Sequence, residues 1–396
     1  MVLSRVSALA AMAGLLLACA PAGEQSASTP QPSPVNSVVP QASPNVPLSG
    51  PLPAAPAAPA CGDAQSLLAG MSTRDKLAQL LMVGVTGAGD ARAVVDAHHV
   101  GGIMIGSWTD LSIMGDQLRD IAAEAGPLPL AVSVDEEGGR VSRLAGLIGS
   151  QPSPRELAAS QSPEQVYGIA LDRGRKMRAL GITIDFAPVV DVTEDADSTV
   201  IGDRSFGADP ATVTDYAGAY ARGLRDAGVL PVLKHFPGHG HGSGDSHTGS
   251  VTTPPLADLQ ANDLVPYRTL TTQGPVAVMV GHMQVPELTG SDPASLSPAA
   301  YALLRSGSYG GPPFGGPVFT DDLSSMQAIT DRFGVAEAVL RSLQAGADTA
   351  LWVSTGEVPA VLDRLEKALA AGELTPAAVD ASVLRMAAAK GPNARC

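Results

Sequence analysis

Positive charge is scarce in this chain. Its 396 residues carry 25 Lys and Arg against 39 Asp and Glu, a net charge of −14. That balance disfavours nucleic acid or an anionic membrane surface as an electrostatic partner. Lysine is the rarer cation, five residues against twenty arginines. The apolar run at residues 7–18 is too short to cross a bilayer as a mature helix. A dinucleotide fingerprint is also missing. The stretch GVTGAG at 84–89 lacks the glycine spacing and the downstream acid, so no nucleotide cofactor is expected. No His-Glu-x-x-His pair is present, and no repeat shows beyond an alternation of strands and helices.

The N-terminus reads as a signal peptide over residues 1–18. Arg5 supplies the positive charge ahead of the apolar run. The run ends in Leu16-Leu17-Ala18-Cys19, which looks like a bacterial lipobox. Cleavage would then precede Cys19 and leave its thiol for lipidation. An ordinary secretory signal with an incidental cysteine is the alternative, and both put the mature chain outside the cytoplasm. The lipid would be its only hold on a membrane. Residues 19–60 are dominated by Pro, Ala, Ser and Gln and read as a disordered tether. The folded region is expected over 61–396, as a monomer. Cys61 and Cys396 sit at its two ends, and an oxidising compartment permits a disulfide between them. Two unpaired thiols fit the sequence equally well.

From residue 61 short apolar runs alternate with longer helical stretches. Strands are expected at 80–85, 102–105, 130–134, 183–190, 232–235, 276–279, 318–320 and 349–353. These runs are continuously apolar, as parallel strands buried on both faces should be. Helical patterns cover 162–180, 210–227 and 336–345, and Gly181, Gly228 and Gly346 follow their last turns. Eight such units in about 330 residues favour a (β/α)8 TIM barrel over an open doubly wound sheet. Barrel active sites collect at the ends of the strands. Asp135, Asp185, Asp191, Lys234, His235, His282, Asp321 and Asp322 all fall there.

Residues 234–247, KHFPGHGHGSGDSH, hold four of the seven histidines and four glycines. The stretch is too rich in glycine for a helix and too polar for a core strand. It reads as the end of a buried strand running into a loop loaded with proton-transfer groups. In Asp245-Ser246-His247 a carboxylate can fix the imidazole tautomer, making a proton shuttle near neutral pH. Of Asp321 and Asp322 only one can face the barrel mouth, because neighbours on a strand point opposite ways. A carboxylate there can attack a sugar anomeric carbon. The partner is expected to bind backbone as a helix N-cap. Arg140, Arg143 and Arg204 offer donor forks to a ligand, or structural salt bridges. The histidines also admit a zinc site, but the glycine loop is a poor frame for one, and no metal is expected.

Together these segments resemble glycoside hydrolase family 3, in its bacterial β-N-acetylglucosaminidase branch. The resemblance covers residues 66–390. It rests on VDEEGGRVSR at 134–143, GDRSFG at 202–207, KHFPGHG at 234–240 and DSH at 245–247. It continues through GHMQVPELTGSDPASLS at 281–297 and TDDLSSM at 320–326. The resemblance implies a single-domain, retaining exo-β-N-acetylglucosaminidase acting on peptidoglycan fragments that end in N-acetylglucosamine linked to N-acetylmuramic acid. It implies Asp321 as the nucleophile, with His247 as general acid/base assisted by Asp245. It also implies Asp135, Arg143, Arg204, Lys234 and His235 as sugar-binding residues. A histidine in place of the second carboxylate repels an incoming anion less, so transfer to phosphate is admitted beside hydrolysis. A β-glucosidase or broad exoglycosidase of the same family, and a non-catalytic wall-binding lipoprotein, remain as alternatives. The chain departs from the family at Glu136, where an amide is common, which implies an added negative charge near the site. It departs again at His241, an extra titratable group expected to be solvated.

Overall fold

In a computed structural model that describes residues 64–391, the eight apolar runs become eight parallel strands closed into a barrel. The strands are β1 (Leu81–Val85), β2 (Gly102–Ile105), β3 (Ala131–Val134), β4 (Ile184–Asp185), β5 (Leu230–Phe236), β6 (Ala277–Val280), β7 (Val318–Asp322) and β8 (Thr349–Trp352). Each pairs with the next, and β8 closes on β1 through Leu81 opposite Ala350 and Val83 opposite Trp352. The (β/α)8 expectation therefore holds. The proposals for Cys19, the tether, Cys61 and Cys396 concern residues outside the described range.

Side-chain alternation sorts each strand into two cores. Val83, Ile103, Val132 and Val278 point outward and pack under the helices. Met82, Met104, Phe186, Val232, Phe319 and Leu351 point inward and fill the barrel. Phe186 and Phe319 meet edge to face there, with ring centroids 5.7 Å apart. A fully buried side chain of this size contributes about 1.5–3 kcal/mol. From below, Met386 of the C-terminal helix Pro376–Lys390 joins the same inner cluster. A cavity of ≈ 940 Å3 opens at that lower end, lined in part by Pro129, Arg225 and Lys390 and by none of the expected site residues.

The helices start and stop where the sequence says they should. Ser162 caps Pro163–Leu180 in a reciprocal capping box with Gln165, and Gly181 ends it at φ +100°. One expected strand shrinks. The run 183–190 ladders only over Ile184–Asp185, because Pro188 brings no N–H to a ladder. The chain rejoins β5 at Val190, whose N–H donates to Lys234 O at 2.8 Å.

Candidate active site

Two more residues along the inward face from the inner core lies the barrel mouth. The period of two places Asp135, Lys234 and Asp321 in this layer, from β3, β5 and β7. Lys234 Nζ stands 2.6 Å from both Asp135 Oδ1 and Glu137 Oε1. Arg204 grips the same Glu137 with two parallel bonds, Nε to Oε2 at 2.8 Å and Nη2 to Oε1 at 2.9 Å. Burial alone would raise the Glu137 pKa. The charges of Arg204 and Lys234 outweigh burial and hold that carboxyl well below the usual carboxylate range. Burial likewise pulls Lys234 down, and Asp135 and Glu137 more than reverse it, so the ammonium stays charged.

His235 is fixed from behind. Its Nδ1 lies 2.7 Å from Asp191 Oδ2, and the other Asp191 oxygen accepts the His235 N–H at 3.2 Å and the His239 N–H at 2.8 Å. One buried carboxylate thus sets both the ring and the entry of the glycine loop.

Asp321 is half-buried, and its Oδ1 accepts the N–H of Asp322 at 2.9 Å. Burial pushes its pKa up, but His235 and His282 beside it bring it down to about 2. It is therefore an ionised carboxylate at neutral pH. Asp322 faces away, as alternation requires. Its Oδ1 accepts Ser324 N–H at 2.8 Å, and its Oδ2 accepts from Ser325 N–H and hydroxyl. The following helix, Gln327–Thr330, has Met326 at its N-cap, so Asp322 braces the turn before the helix rather than capping it. His282 is buried. It takes the Ser295 hydroxyl on Nδ1 at 2.7 Å and donates Nε2–H to Asp322 O at 2.8 Å. Burial keeps this imidazole neutral.

Asp245 and His247 ride on the loop after β5. Asp245 Oδ1 accepts the His247 N–H at 2.9 Å and lies 2.7 Å from its Nδ1. That bond puts a proton on Nδ1 and leaves Nε2 for exchange. Burial raises the Asp245 pKa, but the bonds from His247 lower it further. The His247 side chain is 58% exposed. The loop itself is docked. Ala328 N–H donates to Ser246 O at 3.2 Å and Gln327 N–H to His247 O at 3.4 Å, just beyond β7. The two-residue strands Val251–Thr252 and Met283–Gln284 pair beside it, tying its far end to the segment after β6.

Other expected residues take different places. The Arg143 side chain makes no hydrogen bond or ion pair among the described residues, and its backbone N–H donates to Glu136 Oε2 at 2.8 Å. Arg140 is committed to Asp203 at 2.9 Å and to carbonyls of 199–201. Asp185 is fully buried, accepts Glu136 N–H at 3.0 Å, and burial pushes its carboxyl well up. Two expectations are corrected. Glu136 adds no charge to the mouth, because it is fully buried and paired with Arg173. Ser142 Oγ and the Arg143 and Leu144 amides bind it too. His241 is not left to solvent. Its Nδ1 lies 2.9 Å from Asp263 Oδ1 and its Nε2 3.2 Å from Glu194 Oε2. The rings of the four loop histidines go to different partners, Asp191, Ser246, Asp263 with Glu194, and Asp245, and among the described residues no group of three or more His, Cys, Asp or Glu converges as a metal site.

Glu137 is the residue that sequence reasoning passed over. It stands two positions after Asp135, so the period of two that flags Asp135 flags it as well. Asp191 and His282 are both legible in the sequence as strand-end groups, but nothing in the sequence gives either of them its supporting contacts.

Residues 72–389 match the N-terminal domain of glycosyl hydrolase family 3. The chain is 66% identical over 390 residues to β-hexosaminidase LpqI of Mycobacterium tuberculosis, a match spanning 98% of this chain and 97% of that one. The solved structure of M. tuberculosis LpqI is similar at 70% identity and a TM-score of 0.84, over 86% of this chain and 100% of that one. A family 3 β-N-acetylglucosaminidase from Paenibacillus sp. strain FPU-7 is similar at 35% identity and a TM-score of 0.75, over 81% of this chain and 62% of that one. With a barrel whose mouth gathers an ionised Asp321, a buried Lys234–Glu137–Arg204 cluster and a docked Asp245–His247 loop, this chain belongs to glycosyl hydrolase family 3.

Proposed function

We propose that this protein is a retaining exo-β-N-acetylglucosaminidase, a β-hexosaminidase that releases N-acetylglucosamine from peptidoglycan fragments. The observation that carries the reading is Asp321 at the tip of β7, whose carboxyl pKa is brought down to about 2 and which is therefore an ionised nucleophile at neutral pH. In the first step its carboxylate attacks the anomeric carbon and forms a glycosyl-enzyme ester. The glycosidic bond breaks, and His247 Nε2 gives its proton to the leaving oxygen. In the second step His247, now neutral, takes a proton from water as the water opens the ester. The configuration is inverted twice and so retained. Asp245 holds the ring and stabilises the imidazolium at each turn. Asp135, Lys234, His235, Arg204 and Arg143 are the groups offered to the sugar.

The substrate choice follows from the proposed location. A chain lipidated at Cys19 and held outside the cytoplasm meets wall fragments in which N-acetylglucosamine is β-linked to N-acetylmuramic acid. The test is Asp321→Ala against a chromogenic N-acetylglucosaminide. Turnover should fall by at least about a thousandfold, and near wild-type turnover would sink the nucleophile assignment. Glucosides in parallel separate the β-glucosidase alternative. Tight muropeptide binding without turnover would identify a wall-binding lipoprotein instead. Purified muropeptides, with and without phosphate, distinguish hydrolysis from phosphorolysis.

A further inference from the structure

Two glycines leave a gap in the inward layer of the mouth, and one tryptophan fills it. Gly84 on β1 and Gly106 just past β2 both stand at inward positions. A Cβ on Gly84 would lie 2.8 Å from Trp108 Cζ2, and one on Gly106 would run into the six-membered ring of the same indole. Trp108 therefore lies against the bare backbone of two neighbouring strands. On one flank Ile105 pairs with Val134, so the next residues in register are Gly106 and Asp135. On the other flank the same Gly84 Cβ would meet Val353 Cα at 2.7 Å. Val353 N–H is held by Ser324 Oγ at 3.0 Å, and Ser324 Oγ in turn donates to Asp322 Oδ1 at 2.9 Å. The indole thus sits in the mouth between Asp135 and the turn that follows Asp321.

Its turn is pinned. Thr109 Oγ1 donates to Val85 O at 2.6 Å and accepts Gly106 N–H at 3.0 Å, and Asp110 N–H donates to Thr86 O at 2.9 Å. Yet Trp108 remains 43% exposed, and only Leu147 joins it as a large exposed apolar side chain among the described residues. What sets Trp108 apart is its place, a ring left partly open at the barrel mouth beside fixed polar groups. A rigid ring with one bare face, beside hydroxyl-binding groups, matches a pyranose, whose C–H face is apolar and whose edge is polar.

We propose that Trp108 is the stacking wall of the sugar site. The C–H face of the bound ring lies on the indole while Asp135 and its neighbours take the hydroxyls. The inference rests on the glycosidase reading and adds the residue that selects a flat pyranose there.

The chain has two tryptophans, and Trp352 is fully buried, so acrylamide quenching reports on Trp108. With the full chain, N-acetylglucosamine should lower the quenching constant about twofold or more, and sorbitol at equal concentration should not. On a chromogenic N-acetylglucosaminide, Trp108→Leu should lose roughly tenfold in kcat/KM, chiefly through KM, and Trp108→Phe should restore most of it. If Trp108→Leu unfolds, Trp108→Phe and the wild-type quenching carry the test. Quenching unchanged by saturating sugar in a protein that hydrolyses the glycoside overturns the inference, as does wild-type KM in folded Trp108→Leu. If the wild type hydrolyses no N-acetylglucosaminide, the glycosidase reading fails by itself, and protection of Trp108 by the sugar then decides this inference separately.

Discussion

Lys234 Nζ and Glu137 Oε1 stand 2.6 Å apart with side chains only 2% and 1% exposed. A charge so placed cannot lose its partner cheaply. Arg204 and Asp135 complete an alternating cluster, two cations against two carboxylates, and the cluster supports the floor of the mouth. Such a pair is weak evidence for stability as a whole, but breaking one member is costly.

Glu137→Gln should therefore destabilise the protein by about 3–5 kcal/mol. It leaves two buried cations facing one carboxylate. Chemical denaturation with an unchanged m value measures the loss. A shift within experimental error would show that the cluster is solvated in the native state.

Glu136→Gln separates stability from catalysis. Its carboxylate binds Arg173 and two backbone amides away from the mouth. The variant should lose on the order of 2–4 kcal/mol of stability, with KM for the folded fraction unchanged. A large change in KM with little change in stability would return Glu136 to the site.

His247→Ala should discriminate between leaving groups. A natural disaccharide needs the proton and should lose about 10²–10⁴ in kcat/KM. An aryl glycoside with a good leaving group should lose far less in the glycosylation step. Equal losses on both would count against the acid role. Asp245→Asn should follow the same pattern with a smaller amplitude, because it orients the ring without transferring the proton.

His241 gives a pH dependence. Burial lowers its pKa, but the bonds and charges of Asp263 and Glu194 outweigh burial and raise it above the ordinary 6.5. The folded state thus holds this proton more tightly than the unfolded chain. Burial also pushes the partner Asp263 carboxyl up to about 6, so both groups bind protons more tightly folded than unfolded, and the stabilisation is lost as the pH rises through the raised folded pKa of His241. His241→Gln should flatten that decline in a plot of Tm against pH. An identical slope in the variant would remove His241 from the account.

The barrel was legible because parallel strands buried on both faces leave continuous apolar runs, and the eight runs are the eight strands. The 183–190 run is longer than the β4 ladder because Pro188 interrupts it without a donor. The strand-tip residues Asp135, Lys234 and Asp321 could be found by position, and family resemblance supplied their roles. Glu136 and Glu137 could not be told apart by residue type. One turns into the helix layer toward Arg173 and the other into the mouth, and the choice is made by backbone direction after the strand ends. Trp108 was invisible as a site residue because its meaning depends on two glycines of other segments that leave room for its ring. The His241 contacts lie 22 and 47 residues away in sequence, and only the folded loop brings them together.

The most direct test of the account is to catch the ester on Asp321. An N-acetylglucosaminyl fluoride carrying a second fluorine at C5, which slows hydrolysis of the ester, is incubated with the full chain and followed by intact and peptide mass spectrometry. The account predicts a mass increase of one glycosyl unit, located on the peptide containing Asp321 and absent from Asp321→Ala. Turnover of the reagent with no adduct, or an adduct on another carboxylate, would contradict it.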